Sequence, residues 1–139
     1  MNERFEKATQ LTDQMMGPDF TAAMRTAAGS GGFGSDMARL SMEQAFGDIW
    51  MRDGLERKIR SVVVIAVLIA QGQAAELKNH VRFGLNNGLT VGELEELLIQ
   101  TQPYVGWPAV ATATTAVLEV LKERGLASGS RTSEERGLL

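Results

Sequence analysis

Apolar residues recur at helical spacing along most of the chain, and glycine-rich or proline-containing stretches interrupt them. The apolar positions of residues 2–17 fall on one face of an amphipathic helix, and they are Phe5, Ala8, Leu11 and Met15. Residues 29–34 are too rich in glycine to hold a helix and predict a mobile loop. Ser35 stands where the N-cap of a second helix is expected, and that helix ends near Trp50.

The longest apolar run, VVVIAVLIA at residues 62–70, fits either a buried strand or a buried helix by periodicity alone. Asp53 and Glu56 precede it at the spacing of a capping box, which favours a helix ending at Gly72. Because the run is apolar all round, we expect this helix to be buried on every side.

Three further helices are predicted in the rest of the chain. Residues 73–87 form the first, residues 90–105 begin with Thr90 and Glu93 as a capping-box pair, and residues 108–124 begin with a proline in the first turn. The pattern predicts an all-α fold, a compact helical domain of about six helices over residues 1–126. Residues 127–139 are polar and rich in glycine and serine, which predicts a disordered tail.

Composition excludes several classes of function. The formal charge of −3 carries no basic footprint for nucleic acid. The chain has no cysteine, which removes disulfides, thiolate metal sites and thiol redox chemistry. A single histidine excludes a multi-histidine metal site within one chain. A membrane-spanning helix needs about 20 apolar residues, and the charged N-terminus lacks the pattern of a signal peptide, so we expect a cytoplasmic protein without membrane contact.

The single histidine, His80, lies on a distinct stripe of the fourth predicted helix. At about 100° per residue, the core face and the cationic solvent face fall on separate arcs. His80 lies between them with Glu76, one turn earlier, and with Gln73 and Asn87. Spacing alone leaves two interpretations open. The pair is either a helix-surface ion pair or satisfied core histidine, or an imidazole whose pKa a carboxylate raises for acid–base chemistry.

Residues 44–110 resemble the carboxymuconolactone decarboxylase family without gaps. The similarity rests on several short segments in the right order, namely FGDIW (46–50), LERKIRS (55–61), GQAAELKNHVRFGLNNG (72–88), TVGELEELLIQ (90–100) and YVGWPA (104–109). A related branch, the alkylhydroperoxidase D type, carries a Cys-x-x-Cys-x-x-x-His signature. Its histidine matches His80, but its cysteines fall on Gln73 and Glu76, and its relay glutamate falls on Ser61. A chain without thiols is therefore expected to belong to the decarboxylase-like branch.

The resemblance implies an AhpD-like helical fold that assembles as a homo-oligomer, either a trimer or a hexamer built from trimers. It implies loss of CO2 from 4-carboxymuconolactone, a small carboxylated lactone of protocatechuate breakdown, to give β-ketoadipate enol-lactone. The lactone carbonyl can accept the electron pair that CO2 leaves behind, so no cofactor and no metal are expected. The alternatives are a relative that acts on a different lactone or enol acid, and a non-catalytic oligomeric binding protein.

Site residues follow from this chemistry. His80 is expected to donate the proton and Glu76 to orient and tune it. Arg60 is the candidate for binding the carboxylate, since its planar fork pairs bidentately, although it also fits a surface cation. Three aromatic residues are expected either to line the substrate pocket or to pack in the core, namely Trp50, Tyr104 and Trp107. Asp48 is a possible second carboxylate, and the charges expected to be solvated are Glu43, Glu93, Glu95 and Glu96.

Overall fold

The computed structural model describes residues 1–139 and contains helices but no strand, which confirms the all-α prediction. The helices are α1 (Glu3–Met16), α2 (Pro18–Gly29), α3 (Ser35–Leu40) with a π-helical continuation (Ser41–Ile49), α4 (Arg57–Gln71), α5 (Ala74–Asn86), α6 (Val91–Val105) and α7 (Trp107–Glu123). Contacts divide the chain into two compact units, residues 1–57 and 58–139. The prediction of one domain over residues 1–126 stays a prediction.

In residues 1–57, α1 packs against α2 and against the π-helical segment. The Oδ1 atom of Asn2 accepts a hydrogen bond from the backbone of Phe5 at 3.0 Å and caps α1. Helix α2 was not predicted, because its residues carry little apolar periodicity. It starts at Pro18, a residue whose fixed φ suits the first helical position, and the Thr21 hydroxyl lies 2.7 Å from that of Thr12 on α1.

The π-helical segment buries a carboxylate that was expected to be solvated. Glu43 is only 3% exposed, and its Oε1 accepts a hydrogen bond from the Asn2 amide at 2.8 Å. Arg39, one turn earlier, donates to both Glu43 oxygens at 3.2 and 3.3 Å. The expectation for Glu43 was wrong because tertiary packing buries this charge and supplies it with partners. In the same segment Gly47 lies against the backbone of Arg4, where a Cβ would come within 2.6 Å of the carbonyl oxygen.

In residues 58–139, one apolar cluster joins α4, α5, α6 and α7, and Ile65, Val81 and Val120 are its most buried members. Residues 62–70 are helical, as the flanking signals predicted. The expectation that this helix is buried on every side was wrong for the single chain. Three of its residues form an exposed apolar ridge at intervals of four, namely Ile59, Val63 and Val67, with Val63 51% exposed. No helix is both long and apolar enough to span a membrane.

Two predicted capping boxes had different outcomes. Thr90 Oγ1 accepts from the backbone of Glu93, and the Glu93 carboxylate accepts from the backbone of Thr90, both at 3.1 Å. This capping box is confirmed. The box at Asp53 and Glu56 was wrong, because a cap at Asp53 requires a helix that starts at the next residue, whereas α4 begins only at Arg57. Gly72 and Gly88 close α4 and α5 with positive φ angles of 67° and 101°, which glycine adopts readily.

Residues 124–139 form turns rather than helix. The side chain of Thr132 is buried, and Lys122 of α7 forms an ion pair with Glu135 at 2.8 Å. These contacts place the segment beside α7. The predicted disorder of residues 127–139 in solution stays a prediction.

Candidate active site

Helix α5 holds His80 in a half-buried position between its apolar and its cationic face. Leu77 and Val81 of the predicted core face are fully buried. The rings of His80 and Phe83 meet edge to face, with their centroids 5.2 Å apart and an interplanar angle of 78°. The side-chain Nδ1 of His80 is buried, whereas Glu76, one turn earlier, is exposed. The imidazole therefore packs against the ring of Phe83, and the Glu76 side chain is exposed to solvent one turn earlier.

The cationic side chains of α5 form ion pairs with α7. The sequence placed them on a separate face from His80. Lys78 forms an ion pair with Glu119 of α7. Arg82 donates from Nε and Nη2 to the two carboxylate oxygens of Glu123, at 3.0 Å each. These ion pairs join α5 to α7 and leave Glu76 as the carboxylate whose charge acts on His80.

Burial lowers the pKa of His80 below its usual value of 6.5, and the negative charge of Glu76 raises it by less. Desolvation penalises the imidazolium more than the exposed carboxylate favours it. The spacing predicted that Glu76 raises the pKa of His80, and its charge does so, but in the chain without substrate the larger effect of burial leaves this pKa lowered. In that state His80 is neutral at neutral pH.

Helices α4 and α5 approach closely along a seam beside His80. Gly84 lies one turn after His80, and a Cβ there would come within 3.2 Å of Ile65 Cδ1 and 3.6 Å of Ser61 Cβ. Further along the seam, Nδ2 of Asn87 donates to Oγ of Ser61 at 2.9 Å. The serine is fully buried. Sequence reasoning had placed Asn87 on the His80 stripe and Ser61 at the relay position of the peroxidase branch, but it had not joined the two.

Arg60 precedes Ser61 on α4 and therefore lies next to this seam. Its side chain is half-buried and its Nε atom is buried. A guanidinium that is partly removed from water is suited to bind an anion, because its planar fork matches the geometry of a carboxylate. Its role as a carboxylate-binding residue stays a prediction.

The three predicted pocket aromatics have different environments. Trp50 is buried within residues 1–57, immediately after the π-helical segment. Tyr104 and Trp107 flank the junction of α6 and α7 and are 82% and 73% exposed in the single chain. Asp48 was considered as a second catalytic carboxylate, and it is paired with Arg4, whose Nε donates to it at 3.1 Å.

A cavity of about 550 Å³ opens between α4 and α6, and its lining includes Val62, Ala66, Leu97, Glu93 and Gln100. None of the residues proposed for catalysis or substrate binding lines this cavity. No group of three histidine, aspartate or glutamate side chains is arranged to hold a metal ion. His80 and Glu76 on α5 and Arg60 on α4 stay the candidate site residues.

Comparison with known proteins identifies the family of the chain. Residues 35–119 match the model of the carboxymuconolactone decarboxylase family. A 4-carboxymuconolactone decarboxylase of Acinetobacter baylyi is 34% identical over 125 residues, which is 90% of this chain and 92% of the relative. A nitrosuccinic acid decarboxylase of Metarhizium robertsii is 28% identical over 120 residues, covering 86% of this chain and 82% of the relative.

The matched region contains the helix pair that carries His80, Glu76 and Arg60, and both relatives are named as decarboxylases. These similarities cover nearly the whole chain rather than one motif. The chain belongs to the carboxymuconolactone decarboxylase family and is an enzyme of the carboxy-lyase class.

Proposed function

We propose that this protein decarboxylates 4-carboxymuconolactone to β-ketoadipate enol-lactone and CO2 without a cofactor. The observation that carries the proposal is the half-buried His80 beside Phe83, with the Glu76 carboxylate one turn away, in a chain 34% identical to an enzyme named for this reaction. The substrate is a small carboxylated lactone, and protocatechuate breakdown in the cytoplasm is the corresponding setting.

The protein must support both the loss of CO2 and the protonation that follows it. The bond between the ring carbon and its carboxylate breaks, CO2 leaves, and the electron pair moves into the conjugated lactone as a dienolate. A proton must then be delivered to carbon, and the developing negative charge must be stabilised. The lactone itself accepts the electrons, so the residues need only bind, orient and protonate.

His80 is the proposed proton donor, and its low pKa assigns the order of events. It is neutral before the substrate arrives. The bound substrate brings negative charge close to the imidazole, which raises its pKa so that it takes a proton from solvent. After CO2 leaves, this proton goes to the dienolate carbon and His80 returns to its neutral form. Glu76 supports the protonated form through its charge, and Arg60 binds the carboxylate or the lactone oxygen.

Assembly as a homo-oligomer, a trimer or a hexamer, is part of the proposal. The exposed ridge of Ile59, Val63 and Val67 on α4 is apolar surface that a second subunit would cover. The exposed rings of Tyr104 and Trp107 would likewise be covered in an oligomer, where they could exclude water from the substrate. Light scattering of purified wild type and Val63→Lys tests this, since a charge on the ridge should reduce the mass to that of smaller species.

A second substrate has a specific observation in its favour, which is the 28% identity to an enzyme named for nitrosuccinic acid. Each named substrate carries a carboxylate next to a group that can accept an electron pair. A different lactone or enol acid would fit the same three residues. A non-catalytic binding protein is the remaining alternative.

The test is CO2 release from freshly generated 4-carboxymuconolactone by wild type, by His80→Ala and by Asn79→Ala. Loss of a general acid should lower the rate about 10²–10⁴-fold. Asn79 neighbours His80 but bonds to Arg82, so its variant is the matched control and should retain activity. Nitrosuccinate is assayed in parallel. Turnover of nitrosuccinate alone would make nitrosuccinate the substrate in place of 4-carboxymuconolactone. If the folded protein turns over neither compound, the proposed function is overturned.

A further inference from the structure

Residues 131–139 hold two arginines at a fixed place beside α7. Thr132 and Glu135 exchange hydrogen bonds in the manner of a capping box, from Thr132 N to the Glu135 carboxylate at 2.9 Å and from Glu135 N to the Thr132 hydroxyl at 3.2 Å. Both Glu135 oxygens also accept from Lys122 Nζ of α7, at 2.8 and 3.0 Å. This turn is fixed to α7 and carries Arg131 on one side and Arg136 on the other.

The turn closes one end of an apolar groove between α6 and α7. The groove has a volume of about 370 Å³, and its floor is formed mainly by Leu94, Leu98, Val117 and Leu121. Both tail arginines line it. The volume lies within the range of about 300–1,000 Å³ that is usual for small-molecule pockets. An adjoining cavity of about 220 Å³ is lined by the same two arginines and by the hydroxyl-bearing Ser133.

The two guanidinium groups differ from others in the chain because neither forms a hydrogen bond or a close ion pair with a carboxylate, although the charge of Arg131 helps to lower the pKa of Glu135. Arg25 and Arg82 each bind a glutamate with two hydrogen bonds. Arg136 donates only its Nε, to the backbone oxygen of Arg131, at 3.2 Å. The nearby Glu135 is engaged by Lys122, and Glu95 on the opposite side of the groove forms no ion pair. The lining of the groove therefore carries two arginine charges and one glutamate charge beside its apolar floor, which leaves an excess of positive charge.

We propose that this groove binds a small carboxylate with an apolar body. The carboxylate would lie on the forks of Arg131 and Arg136, which match its planar geometry, and the apolar body would lie on the leucine and valine floor. An aromatic or medium-length aliphatic monocarboxylate fits both features. Neither helix α5 nor any residue of the candidate active site contributes to the groove, so this site does not depend on the proposed function.

The experiment is calorimetric titration of the full chain with 3-phenylpropionate and, separately, with the uncharged 3-phenylpropanamide. Wild type should bind the carboxylate saturably and the amide at least about 10-fold more weakly. The double variant Arg131→Gln/Arg136→Gln should lose at least about 10-fold in affinity for the carboxylate. Arg124→Gln is the control and should bind like wild type, because it removes one arginine charge from a residue that contacts Asn86 outside the groove.

Two further variants test where the carboxylate binds. Glu135→Gln should weaken binding several-fold, because it loosens the turn that positions both arginines. His80→Ala should leave binding unchanged, and its loss of binding would place the ligand at the candidate active site instead. The proposal is also overturned if wild type shows no saturable binding, or if the double variant binds equally well. Circular dichroism of each variant confirms that the helices remain folded.

Discussion

Asn87 donates a hydrogen bond from Nδ2 to Oγ of Ser61 at 2.9 Å, and this bond fastens the end of α5 to the start of α4. The serine is fully buried and directly follows Arg60. His80 lies two helical turns before Asn87 on the same stripe of α5. This polar contact thus joins α5, which carries the proposed proton donor, to α4, which carries the proposed anion-binding arginine.

Removing either partner of this bond should destabilise the chain unequally. Asn87→Ala leaves a buried serine hydroxyl and should cost about 1–3 kcal/mol of unfolding free energy. Ser61→Ala should cost less, since the half-buried Asn87 amide can reach water. Urea unfolding of both single variants and the double variant measures the coupling, which should be at least about 0.5 kcal/mol. Strictly additive effects would show that the two residues act independently.

The charge of Glu76 should have a measurable effect on the pKa of His80. Glu76→Gln removes the negative charge that raises the pKa of His80, so the titration midpoint of the imidazole should fall further below its usual value. NMR titration of the ring protons reads this directly. Glu95→Gln on α6 is the control for a general change in net charge, and it should leave the midpoint in place. An unchanged midpoint in Glu76→Gln would remove the glutamate from its proposed tuning role.

The low pKa of His80 also predicts how stability depends on pH. The folded chain binds this proton less tightly than the unfolded chain, whose histidine has a pKa near 6.5. Between the folded pKa and 6.5 the unfolded state therefore holds more protons, and the free energy of unfolding rises with pH. The stabilisation is fully present above pH 6.5 and is lost as the pH falls below it.

Denaturant unfolding of wild type and His80→Gln from pH 5 to 8 checks this dependence. The difference between the two proteins isolates the histidine from the many carboxylates that titrate at lower pH. Wild type should lose stability relative to the variant as the pH falls. Parallel curves over the whole range would mean that His80 has the same pKa in the folded and the unfolded chain.

Local signals in the sequence were enough to predict most helices. The spacing of Thr90 and Glu93 placed the start of α6, because a capping box involves residues only three apart. Flanking helical patterns resolved the apolar run at residues 62–70 for the same reason. Helix α2 was missed because it buries only one residue, Thr21, and such a helix leaves no apolar stripe to detect.

Contacts between residues that are distant in the chain could not be predicted from the sequence. The buried state of Glu43 depends on Asn2, 41 positions earlier, and nothing in the local pattern indicates that pairing. The net direction of the His80 pKa shift could not be predicted for a related reason. The spacing to Glu76 showed the attraction, whereas the larger cost of burial depends on tertiary packing that the spacing does not contain.

The last prediction concerns the close approach of α4 and α5 at Gly84. An added Cβ would lie 2.7 Å from Leu89 Cδ1 and 3.2 Å from Ile65 Cδ1, so Gly84→Ala must displace packed side chains. The expected loss is about 1–3 kcal/mol of unfolding free energy, which is the usual cost of overpacking a core. Gly92→Ala in α6 is the matched control, because its Cβ would meet nothing closer than 4.0 Å. There the gain in helix propensity should make the change neutral or stabilising by up to about 1 kcal/mol. Urea unfolding measures the unfolding free energy of both variants. Equal stability of the two would show that α4 and α5 are not tightly packed at Gly84.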